Sequence, residues 1–157
     1  MLKIMYINRM KKTCCAHALT PRDAHELLAL HGLNRTEIKT QILVQLSKSK
    51  KPLSASELHQ KLGADSCNIS TVFRSLAQFQ EKGLVRELNL GEDFFRFELV
   101  NLEDSHHHHH HVRCRDCGDI KLIENCDLSN FEKMIAKMGF KQTEHTLEFT
   151  GVCGKCI

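Results

Sequence analysis

Two C-x-x-C pairs, Cys114/Cys117 and Cys153/Cys156, constrain this chain more than any other feature. Each pair puts two thiolates on one tight turn, aimed at a common point. Two such turns supply the four soft ligands of a closed tetrahedral zinc site, with Zn–S bonds of about 2.3 Å. A site closed in this way keeps no open coordination position, so it is structural. The gap between the pairs is longer than in a simple zinc ribbon, and a strand–helix–strand insertion fills it. Disulfides or a thioredoxin-like redox pair are the competing readings, and neither needs two matching pairs. The composition points the same way, with 8 Cys and 11 His but no Trp among 157 residues.

Six of the histidines are consecutive, at 106–111, two residues before the first cysteine pair. The run is internal, which argues against an affinity tag. Laid out as a strand, it would point His107, His109 and His111 one way and His106, His108 and His110 the other. Neutral imidazole suits Zn, Fe, Ni and Cu, so two metal sites could grow from one strand. A solvated His-rich loop is the alternative. Cys67 reads as a core residue. Cys126 and the adjacent Cys14 and Cys15 read as incidental.

The first half has a different character. Residues 1–100 carry 15 Lys+Arg against 10 Asp+Glu, and residues 101–157 carry 7 against 9, closing on the net charge of +3. A basic half and a mildly acidic, Cys/His-rich half suggest two jobs. Residues 1–19 read as a disordered tail, and residues 20–100 as one domain. Helices are expected from Thr20-Pro21 to Gly32, with Leu27, Leu28 and Leu30 as its apolar residues, and over 36–48. A third is expected from the Ser54…Glu57 capping box to Gly63, and a fourth over 69–82. The fourth carries Ile69, Val72, Phe73, Leu76 and Phe79 at helical spacing. Residues 85–90 and 94–99 alternate around Gly91 as a β-hairpin. Helices followed by a hairpin give the order of a winged helix-turn-helix, whose last helix enters the major groove. Residues 101–105 are polar and read as a hinge. Within residues 106–157, strands are expected at 120–124 and 146–150, and a helix at 128–138 with Phe131, Ile135 and Met138 inward. The expected class is therefore α+β: a winged helix followed by a small α/β domain with a four-cysteine zinc site. No run of about 18 apolar residues exists, so no membrane span is expected, and without a secretory signal the expected location is cytoplasmic.

Several of these pieces, in this order, resemble the ferric-uptake-regulator family, which includes zinc-responsive repressors. The resemblance covers about residues 33–156. Gly32-Leu-Asn-Arg-Thr36 resembles the family's first turn, and Ser70-Thr-Val-Phe-Arg-Ser-Leu76 its recognition-helix signature. Phe97-Glu98-Leu99 resembles the end of its wing. The histidine run before Cys114-x-x-Cys117-Gly118 resembles its His-rich strand and zinc knuckle. Glu144-His145-Thr-Leu147 and the terminal cysteine pair resemble its closing strand.

The resemblance implies a homodimeric, metal-activated repressor that binds an A/T-rich palindrome in double-stranded DNA. Its second domain would be the dimerisation domain. By position the resemblance makes Cys114, Cys117, Cys153 and Cys156 the ligands of structural Zn²⁺. It makes His109, His111, Glu98 and Glu124 the ligands of a regulatory Zn²⁺ or Fe²⁺. A third site would use His108, His110 and His145, with Asp127 as its carboxylate. DNA contacts are expected from Lys39, Ser70, Thr71, Phe73 and Arg74, with the N–H groups at the start of that helix favouring a phosphate. Ser70 could equally be only the helix cap. Pro52 stands where iron-sensing members often have a histidine, which favours zinc. Glu98 stands where zinc-sensing members often have cysteine, so the site is mixed. Lys39 replaces a common arginine and offers a point charge in place of a fork. The implied switch is a two-state hinge that metal shifts by its differential affinity for the closed state. A ferrous-iron sensor is the alternative within the family, and a His-rich metal-storage or delivery protein the alternative outside it. An enzyme is not expected: the chain has no nucleophile–base pair, phosphate loop or H-E-x-x-H motif.

Overall fold

The computed structural model describes residues 18–100, 109–123, 127–141, 145 and 147–157. The chain divides into two compact units, Met1–Ser105 and His106–Ile157. Among the described residues no helix is long and apolar enough to cross a membrane.

The first unit begins with helix α1 (Pro21–Leu30). Thr20 caps it in a reciprocal box with Asp23, and proline at the first turn is already set for helical φ. Ala24, Leu27 and Leu28 are buried, whereas Leu30, at the helix end, is exposed. Helix α2 (Glu37–Lys48) is capped by Thr36 and buries Ile42, Leu43, Val44 and Leu46. A two-residue strand, β1 (Leu53–Ser54), leads straight into α3 (Ala55–Leu62). Ser54 accepts from the Glu57 N–H at 3.1 Å, and the Glu57 carboxylate accepts from the Ser54 N–H at 2.8 Å. Helix α4 (Ile69–Glu81) turns Val72, Leu76 and Phe79 inward, and Gly83 (φ 68°) turns the chain out of it.

Strands β2 (Val85–Leu88) and β3 (Arg96–Leu99) pair antiparallel, with Arg86 opposite Glu98 and Leu88 opposite Arg96. β1 adds to the far edge of β3, giving the order β1-β3-β2. One hydrophobic cluster joins α1 to α4 with Leu53, Val85 and Phe97 of this sheet. The arrangement is a winged helix. Phe94 and Phe95, expected in the second wing strand, lie before it and are half exposed, because the strand starts only at Arg96.

The described residues of the second unit form a three-stranded sheet and one helix. β4 (His110–Cys114) is central, β5 (Ile120–Ile123) pairs with it antiparallel and β6 (Glu148–Gly151) parallel. A parallel neighbour needs a crossover connection, and α5 (Ser129–Lys137) lies in that connection. The expectation that Phe131, Ile135 and Met138 point inward is not met. Phe131 is 58% and Met138 68% exposed, and α5 buries none of its residues. Periodicity identifies the apolar face of a helix but not its cover, and the described residues of this unit supply none.

Candidate metal centres and nucleic-acid interface

The cysteine turns are built by the backbone. Cys114 ends β4 opposite Gly151 of β6, so the two knuckles start side by side. The Gly118 N–H donates to the Cys114 carbonyl at 2.9 Å, closing the first turn, and Gly118 takes φ 71° to do so. The Cys156 N–H closes the second on the Cys153 carbonyl, also at 2.9 Å. The four sulfurs lie within 4.8 Å of one another. Cys153 Sγ is 3.7 Å from Cys117 Sγ and 3.7 Å from Cys156 Sγ. A tetrahedron with Zn–S bonds of about 2.3 Å has edges of about 3.8 Å, so this spacing fits zinc.

The charges ask for a cation as well. Backbone N–H groups of Cys117 and Cys153 pull the Cys114 thiol down to about 6, whereas the Cys117 and Cys153 side chains push Cys156 up to about 12. Cys114 thus favours the thiolate and Cys156 the thiol, and ionising Cys156 as well needs positive charge at the centre.

β4 separates the described histidines by face. His109 and His111 meet edge-on with ring centroids 5.2 Å apart, and His111 is buried. His110 turns the other way and meets His145, with the two Nε2 atoms 3.2 Å apart. A hydrogen bond between them requires one nitrogen to donate and the other to accept. Among the described residues no carboxylate or thiol completes a metal cluster with His110 and His145. Asp127, expected to serve there, accepts from the Ser129 N–H at 3.1 Å at the start of α5; hydrogen bonding by the Ser129 side chain, and then by this N–H, holds its carboxyl below the usual range. Glu124 and His108 lie outside the described residues.

Glu98 sits on β3, its Oε1 accepting from Arg86 Nε at 2.9 Å and also from Arg86 Nη2. Glu87 pairs with Phe97 and faces the other side of the sheet.

On α4, Ser70, Phe73 and Arg74 lie outward, opposite the buried Val72, Leu76 and Phe79. Phe73 is 53% exposed, so it belongs to the surface and not to the helical core stripe. Thr71 is half-buried, and its carbonyl accepts from the Ser75 hydroxyl at 2.7 Å. The cap is Asn68, whose Oδ1 accepts from the Ser70 N–H at 2.9 Å, so Ser70 is not the cap. The Thr71 N–H donates to the Asn68 carbonyl at 2.8 Å. Both N–H groups are therefore engaged within the turn, and a phosphate there would meet the hydroxyls first. Lys39 is half-buried on α2, and its N–H reaches the Thr36 hydroxyl.

A model of the ferric uptake regulator family matches residues 31–150. The chain belongs to that family. It is 34% identical over 144 residues to the peroxide operon regulator of Bacillus subtilis, covering 90% of this chain and 94% of that one. It is 33% identical over 141 residues to a ferric uptake regulation protein of Staphylococcus epidermidis, covering 88% and 97%. Among solved structures, the Vibrio cholerae ferric uptake regulator aligns with a TM-score of 0.69 at 30% identity, over 82% of this chain and 98% of that one. As a ferric uptake regulator family member, the chain is a metal-responsive repressor and not an enzyme.

Two arginines of this family member's wing were missed by sequence reasoning. Arg96 is 8% exposed and bonds Glu92 through Nε (2.5 Å) and Nη2 (3.0 Å). Its Nη1 reaches Glu57 at 2.9 Å and the Pro52 carbonyl at 3.2 Å. The Glu92 hydrogen bond, followed by the charge of Glu57, raises the Arg96 pKa against the cost of its burial. Arg86 holds Glu98 as described. The only signal in the sequence was the cross-strand spacing of Arg86 and Glu98, which a hairpin register would have paired.

Proposed function

We propose that this chain is a homodimeric repressor of metal-uptake genes, switched by zinc. Structural Zn²⁺ would be held by Cys114, Cys117, Cys153 and Cys156, and it would supply a cross-link between the two knuckles. The regulatory ion would take His109 and His111 as imidazole ligands. Glu98, and Glu124 by its strand parity, are the carboxylates the family resemblance offers. The observation that carries the reading is the coexistence of two donor sets in one winged-helix chain. Four thiols are spaced for zinc, and a separate imidazole pair, His109 and His111, lies at the start of β4. The hard and borderline donors of the second set leave room for exchange with cellular metal.

Arg74 would read or position DNA from α4, with Phe73, Ser70, Thr71 and Lys39 beside the backbone. Phe131, Met134, Met138 and Phe140 are exposed in and just after α5, and a second copy is the proposed cover. Two-fold symmetry in the protein then calls for a palindromic operator, A/T-rich by resemblance. A repressor of this kind works in the cytoplasm, where the DNA is.

Ferrous iron is the second reading, favoured by relatives named as peroxide and ferric uptake regulators. The deciding experiment recovers DNA from a genomic fragment pool, anaerobically, with the protein holding its structural metal. Recovery only with Zn²⁺ supports a zinc sensor. Recovery only with Fe²⁺ transfers the function to iron, and recovery under no condition moves it to metal storage. His109→Ala should abolish the metal response and leave a folded dimer; metal-dependent recovery by that variant would remove the histidine assignment.

A further inference from the structure

We infer that Arg86 is a built-in competitor of the regulatory metal for Glu98, and so sets the metal concentration at which the repressor switches. The inference rests on the reading of Glu98 as a metal ligand. Arg86 and Glu98 are register partners on β2 and β3, so their side chains leave the same face of the wing. Arg86 Nε and Nη2 both donate to a single carboxylate oxygen, Oε1, in place of a two-oxygen fork. Oε1 is thus occupied by a cation before any metal arrives.

The two partners differ in exposure. The Glu98 side chain is 13% exposed and the Arg86 side chain 40%. The carboxylate is the fixed member, and the guanidinium is the one that can swing into water. A dication at Glu98 would meet the guanidinium as a like charge, and Arg86 must leave Oε1 for the metal to take it. The exchange moves no proton, because arginine stays charged at every relevant pH. Metal affinity is then lowered by whatever the Arg86–Glu98 pair contributes in the metal-free protein. A cross-strand, half-exposed pair of this kind is worth a factor of about three to ten.

The test uses the full chain with its structural zinc in place. Zn²⁺ affinity of the regulatory site is measured by competition against a fluorescent chelator. Melting curves of the metal-free variants confirm that they are folded. Arg86→Gln should bind Zn²⁺ about threefold to tenfold more tightly, with the metal midpoint for DNA binding moving by the same factor. Arg86→Lys, which keeps the charge without the guanidinium, should fall between. In a Glu98→Gln background, Arg86→Gln should have no further effect. Unchanged or weaker Zn²⁺ binding by Arg86→Gln overturns the inference; weaker binding would make Arg86 an aid to Glu98 and not its rival. If Glu98→Gln itself leaves Zn²⁺ affinity untouched, the ligand reading fails, and that result is separate from a failure of the competition.

Discussion

Replacing Arg96 by methionine should destabilise the winged-helix unit severely. Methionine keeps the aliphatic stem and a similar length, so the change removes charge and donors more than volume. The guanidinium that is lost bonds Glu92 twice, Glu57 once and the Pro52 carbonyl once. Glu92 has a side chain only 11% exposed and would lose both of its bonds to the guanidinium while staying poorly solvated. Removing one partner of a buried pair costs about 3–5 kcal/mol. Glu57 is 42% exposed, so water takes over part of its bond and the lower end applies, about 3 kcal/mol. For a unit of this size each kcal/mol corresponds to about 4–8 °C, so its melting transition should fall by roughly 12–24 °C. Scanning calorimetry on the full chain with structural metal bound would read that transition. Arg96→Lys should recover only part of the loss, because an ammonium cannot reproduce the bidentate contact with Glu92. A fall of less than about 4 °C in Arg96→Met would show that the cluster is merely solvated surface charge, and the reasoning would be refuted.

Three further outcomes are expected. Arg74→Ala should weaken operator binding by about 1–3 kcal/mol without changing the melting transition, read by fluorescence anisotropy at fixed salt; an unchanged affinity would remove α4 from the groove. Met134→Glu should convert the dimer to monomer in sedimentation, since Met134 is 52% exposed on the apolar side of α5; a dimer that persists would place the interface elsewhere. In metal-free protein the Cys114 pKa lies at about 6, below that of an ordinary thiol. The stabilisation this gives is complete above the ordinary thiol pKa of about 8.5 and is lost as pH falls through 6. The second unit should therefore melt lower at about pH 5.5 than at about pH 8, and equal melting would contradict the Cys114 assignment.

Local chemistry made most of the first unit legible. Thr20, Thr36 and Ser54 mark helix starts because each oxygen takes an otherwise unpaired N–H, and that arithmetic needs only neighbouring residues. Asn68 follows the same rule, its side chain taking the Ser70 N–H one residue ahead of the apolar run that starts at Ile69. Strand β1 could not have been found. Two residues carry no period, and Leu53 becomes a strand only because β3 offers a free edge next to it. α5 shows the opposite limit: its stripe is apolar as expected, and the error lies in supposing that this unit must bury it.

The wing shows why the site itself was only partly legible. Arg96 and Glu98 are two residues apart on β3 and therefore leave the same face. Period-2 reading treats both as outward polar positions of a hairpin. What separates them is who stands opposite. Arg96 meets Glu57, from nearly forty residues earlier, together with the turn residue Glu92, and becomes a buried anchor of the wing. Glu98 meets Arg86, a half-exposed partner that can leave. On the proposed reading of Glu98, fixing the wing and switching it fall to neighbouring positions on one strand face. An Arg96 variant should accordingly lower melting in the absence of metal far more than an Arg86 variant does, whereas an Arg86 variant should tighten the response to metal and an Arg96 variant should not. A protein in which both variants tightened the metal response would show that the two ion pairs form one network, and the division of labour along β3 would not stand.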